Sequence, residues 1–218
     1  RRIEFWIVGM GKLGARELNV SSDVDLIYVY EEDGQTDGLE PLSAHEYFSK
    51  VARGLYVLIG DTTDEGFVFR VDLRLRPEGD SGERANSLAA AETYYESWGQ
   101  SWERSAMLKA RPVAGSIALG ERLLQRLEPF IYRRHLDYAM VEDIKLMKQK
   151  IDRSLARERE GALNLKLGKG GIREIEFFIQ ALQLIYSGKN PRLRERNSLK
   201  ALDLLCAEGL IKVAEREQ

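Results

Sequence analysis

Apolar and polar positions follow two regimes along the chain. Up to about residue 86, short apolar runs are separated by polar turns; beyond it, apolar residues recur at helical spacing almost to the end. Residues 3–9 (Ile-Glu-Phe-Trp-Ile-Val-Gly) predict a buried strand, followed by a glycine-rich turn and a short helix over Lys12–Leu18. Asp23–Tyr30 predicts a second strand, apolar on both faces after Asp25 and therefore interior. A polar loop over 31–41 leads to Ser43, an N-cap with Glu46 in the capping-box position, for a helix running through Ile59. Phe67–Leu75 alternates, with Phe67, Phe69, Val71, Leu73 and Leu75 on one face and Arg70, Asp72, Arg74 and Arg76 on the other. The turn Pro77–Gly82 ends that third strand.

Past Asn86 the spacing predicts helices over 87–98, 101–109, 117–131, 137–158, 171–187 and 198–207, with breaks at Gly161, Gly168–Gly171 and Gly188. Strands with interspersed helices come first and a run of helices follows. The expectation is an α+β chain: an α/β domain over 1–113 joined near Pro112–Ser116 to an all-α helical bundle over 114–218. No internal repeat or low-complexity stretch is visible.

Composition narrows the class without changing this picture. Charged residues make up 31% of the 218 and the net charge is −2, a balance that speaks against a general nucleic-acid or anionic-membrane binder. No apolar run approaches the ~18 residues of a membrane span. With Cys206 the single cysteine, no intrachain disulfide can form, in keeping with a reducing cytoplasm. Cys206 reads as a small helix-core residue, and His45 and His135 as structural. The abrupt start at Arg1-Arg2-Ile3 reads as a segment of a longer polypeptide.

The chemistry is concentrated in Ser22-Asp23-Val24-Asp25. Carboxylates at i and i+2 on a strand share a face, and Asp72 can join them if its strand is a neighbour. Three acidic oxygen donors without His or Cys suit a hard cation, Mg²⁺ or Mn²⁺, and such sites serve phosphoryl and nucleotidyl transfer. A solvated strand start is the alternative for Asp23 and Asp25; an ion pair with a neighbouring arginine is the alternative for Asp72.

Gly9-Met10-Gly11-Lys12-Leu13-Gly14 matches the dinucleotide pattern GxGxxG, but its helix is too short and the expected acid about 20 residues on is replaced by two acids at a strand's beginning. No GxxxxGK[ST] is present. The better reading is a turn whose backbone N–H groups cradle phosphate oxygens, with Lys12 adding a point charge. A tight turn that merely needs glycine is the alternative.

This layout resembles the nucleotidyltransferase superfamily typified by polymerase β, whose Gly-Ser lies roughly ten residues before Asp-x-Asp. Here Gly11-Lys12 takes the Gly-Ser place, ten residues before Asp23. Residues 9–26, Val71–Pro77, Trp102-Glu103-Arg104, Lys109-Ala110-Arg111 and Lys166–Phe177 together resemble, in order, the signature of the bifunctional glutamine synthetase adenylyltransferase/adenylyl-removing family. That family joins two nucleotidyltransferase halves, one removing AMP from a glutamine synthetase tyrosine by phosphorolysis, the other attaching AMP from ATP. Asp80-Ser81-Gly82 and Gly170-Gly171-Ile172-Arg173-Glu174-Ile175-Glu176-Phe177 look like the removing half; both halves share Asp-x-Asp, and ATP-dependent attachment is the alternative.

The resemblance implies Asp23, Asp25 and Asp72 as catalytic metal ligands. It implies phosphate or nucleotide contacts from Gly11, Lys12, Ser22, Arg74, Arg76, Lys109, Arg111, Lys166, Gly170 and Gly171. Glu103, Arg104, Glu174 and Glu176 stand behind them as supporting groups. A solvated strand edge remains open for the two strand arginines, surface ion pairs for residues 103–111, and dipole-favoured acids for Glu174 and Glu176. Tyr94, Tyr95, Trp98 and Trp102 read as core rather than as an adenine-stacking box. The implied partners are glutamine synthetase, ATP or ADP, inorganic phosphate, and a PII-type signalling protein with glutamine as regulators. A regulatory module that binds nucleotide without turnover is the reading from outside enzymology; three intact aspartates speak against it.

Overall fold

The computed structural model describes residues 2–20, 22–134, 142–149, 165 and 170–216. Lys166, His135, Gly161, Gly168 and all of the expected 137–158 helix except its residues 142–149 lie outside that set. The chain divides into two compact units, Arg1–Phe130 and Ile131–Gln218.

Unit one is built on a mixed sheet of β1 (Phe5–Gly9), β2 (Val24–Tyr30), β3 (Val71–Asp72), β4 (Ala85–Ser87) and β5 (Arg111–Gly115). β1 pairs antiparallel with both β2 and β5. The far edge of β2 carries two separate parallel partners, β3 at its start and β4 at its end. β2 is buried on both faces, as its apolar run predicts: Leu26, Tyr28 and Tyr30 point one way, Ile27 and Val29 the other.

α2 (Ala44–Gly60) covers the first face with Ala44, Phe48 and Ala52. Their spacing of four places them on one helical stripe. Phe48 stacks on Phe5 and Tyr30 at centroid distances of 5.2 and 5.1 Å. The expected capping box is formed, the Glu46 N–H donating to Ser43 Oγ at 3.1 Å and the Ser43 N–H to the Glu46 carboxylate at 3.0 Å. On the other face α5 (Ile117–Arg126) comes close: a Cβ on Gly120 would stand 2.6 Å from the Pro112 ring and 3.1 Å from Trp6.

Three sequence expectations change. Only Val71–Asp72 of the 67–75 alternation is a strand, and Phe67 is exposed; the alternation survives as Phe69, Val71 and Leu73 leaning on the α2 core. β4 and β5 lie in a region read as helix or junction. β5 escapes because Pro112 and Gly115 speak against a strand; it sits at the sheet edge with a register shift opposite Ile7/Val8, where proline is tolerated. Trp98 and Trp102 are exposed while Tyr95 is buried. α3 (Leu88–Ser97) ends at Trp98 and α4 (Ser101–Met107) starts afresh after Gly99-Gln100, so the four aromatics share no stripe.

After α6 (Glu128–Ile131), unit two includes helical residues 142–149 (α7), α8 (Ile172–Tyr186), α9 (Ser198–Ala207) and α10 (Val213–Arg216). Ile179, Leu193, Ala201, Leu205 and Ile211 form its core, against which Cys206 packs half-buried. The buried Gln183 amide donates to the Leu193 and Glu195 carbonyls at 2.8 and 2.7 Å and fixes the α8–α9 connection. The fold is α+β. Among the described residues no helix is long and apolar enough to cross a membrane.

Candidate active site

The parallel β2–β3 pairing puts Asp25 directly beside Asp72. Asp23, two positions before Asp25, projects to the same face, opposite α2. The glycine turn closes over this edge. The Met10 N–H donates to the Asp25 carbonyl at 2.9 Å, and Gly11 sits with φ +50°. A Cβ on Gly11 would stand 2.9 Å from Asp25 Oδ2, so glycine serves both the left-handed backbone and the close approach.

The charges are unevenly compensated. Asp72 accepts the Arg74 backbone N–H at 2.8 Å and is gripped by the Arg74 guanidinium, Nε at 2.9 Å and Nη2 at 2.5 Å from Oδ2. These bonds hold the Asp72 carboxyl below the usual carboxylate range. Asp23 accepts Arg70 Nε at 2.5 Å. Asp25, between them, is pushed up from 3.8 to about 6, first by burial and then by the charges of Asp72 and Asp23. As the side chains stand, no group of three or more His, Cys, Asp or Glu among the described residues encloses an ion. The donors nevertheless fit a hard divalent cation. All are carboxylate oxygens on one face of adjoining strands, and at the middle one burial and the Asp72 and Asp23 charges outweigh the opposing charge of Arg74.

The remaining expected residues separate into distinct places. Ser22 Oγ donates to Asn19 Oδ1 in the turn before β2. Lys12 lies in α1 (Gly11–Ala15), half-buried. Arg76 is buried and donates to the carbonyls of Leu73, Asp80 and Gly82 at 2.8, 3.1 and 3.1 Å, tying up the turn after β3. Arg111 donates to the Leu13 and Gly14 carbonyls at 2.8 and 2.9 Å, meeting the C-terminal end of α1. Lys109 pairs with Glu17 at 3.0 Å, both largely buried. Gly14 completes this clamp: a Cβ there would lie 1.9 Å from the Lys109 carbonyl oxygen.

Glu103 is 2% exposed, accepts the Tyr94 hydroxyl at 3.0 Å and the Gln100 N–H at 2.8 Å, and is raised by burial. Arg104, 3% exposed, donates to the Phe130 carbonyl at 2.8 Å. In the second unit Gly170 (φ +73°) and the buried Gly171 open α8. Glu174 accepts Lys148 Nζ and the Gly170 N–H, both at 2.7 Å, and Glu176 is half-buried. Sequence reasoning missed Arg70, whose position next to β3 was visible but whose reach to Asp23 depends on the strand pairing. A cleft of about 990 Å³ opens at the Phe5 end of β1, lined in part by Arg2, Gln35, Asp37 and Tyr47; none of the expected site residues lines it.

The family model for glutamate-ammonia ligase adenylyltransferase matches residues 1–126, more than half of the chain. The chain belongs to that family. Residues 145–218 match the GlnD PII-uridylyltransferase model. A bifunctional glutamine synthetase adenylyltransferase/adenylyl-removing enzyme of Stenotrophomonas maltophilia (strain R551-3) is 53% identical over 205 residues, 94% of this chain and 22% of the relative. Enzymes of the same name from Hahella chejuensis and Pseudomonas aeruginosa are 49% and 47% identical over 95% and 97% of this chain, again 22% of each relative. The chain thus spans about a fifth of the length of these relatives.

Proposed function

We propose that the first unit is the catalytic core of a divalent-metal-dependent nucleotidyl transfer acting on glutamine synthetase, in the direction of phosphorolytic AMP removal. The observation that carries the reading is the Asp25–Asp72 cross-strand pair, with Asp23 on the same face, under the Gly11 turn. The names of the relatives, which give both AMP attachment and removal, supply the protein substrate. The Gly170–Phe177 and Asp80–Gly82 segments favour removal, since they look like the removing half of the family.

Asp23, Asp25 and Asp72 would hold Mg²⁺ or Mn²⁺, which when bound neutralises charge developing on the transferred phosphoryl group. A phosphate oxygen attacks the α-phosphorus of the AMP–tyrosine diester. The bond to the tyrosine oxygen breaks, the phenol leaves with an ordinary pKa near 10, and ADP is the product. The chain's own part is orientation. Gly11 brings its backbone against Asp25, Lys12 follows it in α1 with an ammonium available to phosphate, and Arg111 holds the end of α1. Arg74 lies next to Asp72 with a planar fork suited to phosphate. The match of residues 145–218 to a PII-uridylyltransferase model supports a PII-type protein as partner of the second unit; glutamine as co-regulator and a cytoplasmic setting rest on the family resemblance alone.

The test is ADP formation from adenylylated glutamine synthetase with this chain, Mg²⁺ and inorganic phosphate. We expect phosphate-dependent ADP, reduced at least about a hundredfold in Asp25→Asn. AMP transfer from ATP to unmodified synthetase, without ADP release, would reverse the direction. Neither activity from the folded chain would remove the catalytic reading.

A further inference from the structure

Two arginines occupy the outer carboxylates of the cluster, and neither the family signature nor the expected roles include Arg70. Arg70 Nε reaches Asp23 Oδ1 across the β2–β3 pair, and Arg74 takes both oxygens of Asp72. Among the described residues Asp25 makes no ion pair of its own, and burial with the charges of Asp72 and Asp23 outweighs the pull of Arg74 on it. A divalent cation bound by these aspartates needs the same oxygen lone pairs that the guanidiniums now use. The two modes of neutralisation therefore exclude one another, oxygen by oxygen.

We propose that Arg70 and Arg74 are exchangeable internal counter-cations: they hold Asp23 and Asp72 while no metal is bound, and on metal binding they leave the carboxylates and turn to the phosphates of the nucleotide. This rests on the metal reading of the aspartates given above. Several features favour exchange over a permanent pair. The arginine side chains are 60% and 71% exposed, so solvent takes over their charge during the swap. The Arg70–Asp23 pair is exposed on both sides and therefore individually weak, whereas Arg74 meets the more enclosed Asp72 bidentately and exchanges through its own exposed side. Both arginines flank the two-residue strand that carries Asp72, so once released they remain beside the ion, where a bound phosphate must lie. Guanidinium planes grip phosphate bidentately, as Arg74 grips Asp72. Arg76, three backbone carbonyls deep in its turn, is excluded from this role by its burial.

The experiment is Mn²⁺ binding to the chain by electron paramagnetic resonance, without nucleotide, in the wild type and in Arg70→Gln, Arg74→Gln and Asp25→Asn. Arg53→Gln, an exposed arginine on α2 across the sheet, controls for general loss of positive charge. Removing a competing guanidinium is expected to tighten Mn²⁺ about three- to tenfold, more for Arg74 than for Arg70. Arg53→Gln should leave it unchanged. With Mn²⁺ saturating, ADP affinity should fall by a similar factor in Arg74→Gln, whereas without metal the variant and the wild type should bind ADP alike. Mn²⁺ affinity unchanged or weakened in both arginine variants, with wild-type binding still abolished by Asp25→Asn, would overturn the counter-cation role and leave the metal site standing. Absence of any Asp25-dependent Mn²⁺ binding would overturn both. Thermal unfolding of each variant verifies that these surface changes leave the fold intact.

Discussion

The aspartate edge and the α1 clamp lie on either side of the same glycine turn, and they treat charge in opposite ways. At the clamp, Lys109 and Glu17 are largely buried and Arg111 is committed to backbone carbonyls. At the edge, Asp23 and Asp72 are met by arginines whose side chains stand mostly in water. Charges of the first kind fix a backbone; those of the second kind can be exchanged. The charged residues around the turn thus divide into a buried set that fixes its backbone and a solvent-facing set at the carboxylates, although in sequence both are simply charged residues.

The clamp breaks most easily at Gly14. Gly14→Ala forces a Cβ to within 1.9 Å of the Lys109 carbonyl oxygen, contact with backbone that has no rotamer to yield. We expect a loss of more than about 3 kcal/mol in urea unfolding of the first unit. Lys109→Met comes next. It takes the Lys109 ammonium away from a largely buried carboxylate, and a loss of about 2–3 kcal/mol is expected by the same measurement. The same change at an exposed arginine such as Arg70 should stay within about 1 kcal/mol.

The edge shows its different nature with the opposite sign. Asp25 is raised from 3.8 to about 6 in the fold, so its protonated form is the one the fold favours. That contribution is whole below about pH 4, fades between about 4 and 6, and is gone above, where ionised Asp25 costs about 1–2 kcal/mol once water's screening of this half-buried group is allowed for. Asp25→Asn, neutral throughout, should therefore unfold at higher urea than the wild type at pH 8 and at nearly the same urea at pH 4. Equal midpoints at both pH values would mean that Asp25 carries no such burden. Loss of activity with gain of stability is the expected mark of a residue kept for chemistry.

Much of this was legible in the sequence. The Asp-x-Asp on an interior strand, the capping box at Ser43 and the helix over 198–207 follow from local pattern and stand in the structure with small changes of boundary. The neighbour relation of Asp25 and Asp72 was conditional on strand pairing, which local pattern cannot supply. β5 was hidden by Pro112, because an edge strand with a register shift obeys looser rules than an interior one. The burial of Lys109 and Arg104 was hidden for another reason: each meets a residue distant in sequence, Glu17 and Phe130. A charged residue inside a motif looks the same whether it faces a phosphate or a backbone carbonyl.

The place of β5 in the sheet also sets an order of events. β1 and its second neighbour in the sheet, β5, lie about a hundred residues apart in the chain, and Lys109 and Arg111 arrive with β5. During synthesis the ribosome therefore releases Asp25 and Asp72 well before the segment that locks the glycine turn above them. A partly made chain holds all three acids but an unclamped turn. The contacts that hold the turn over these acids are therefore complete only once the β5 segment has docked.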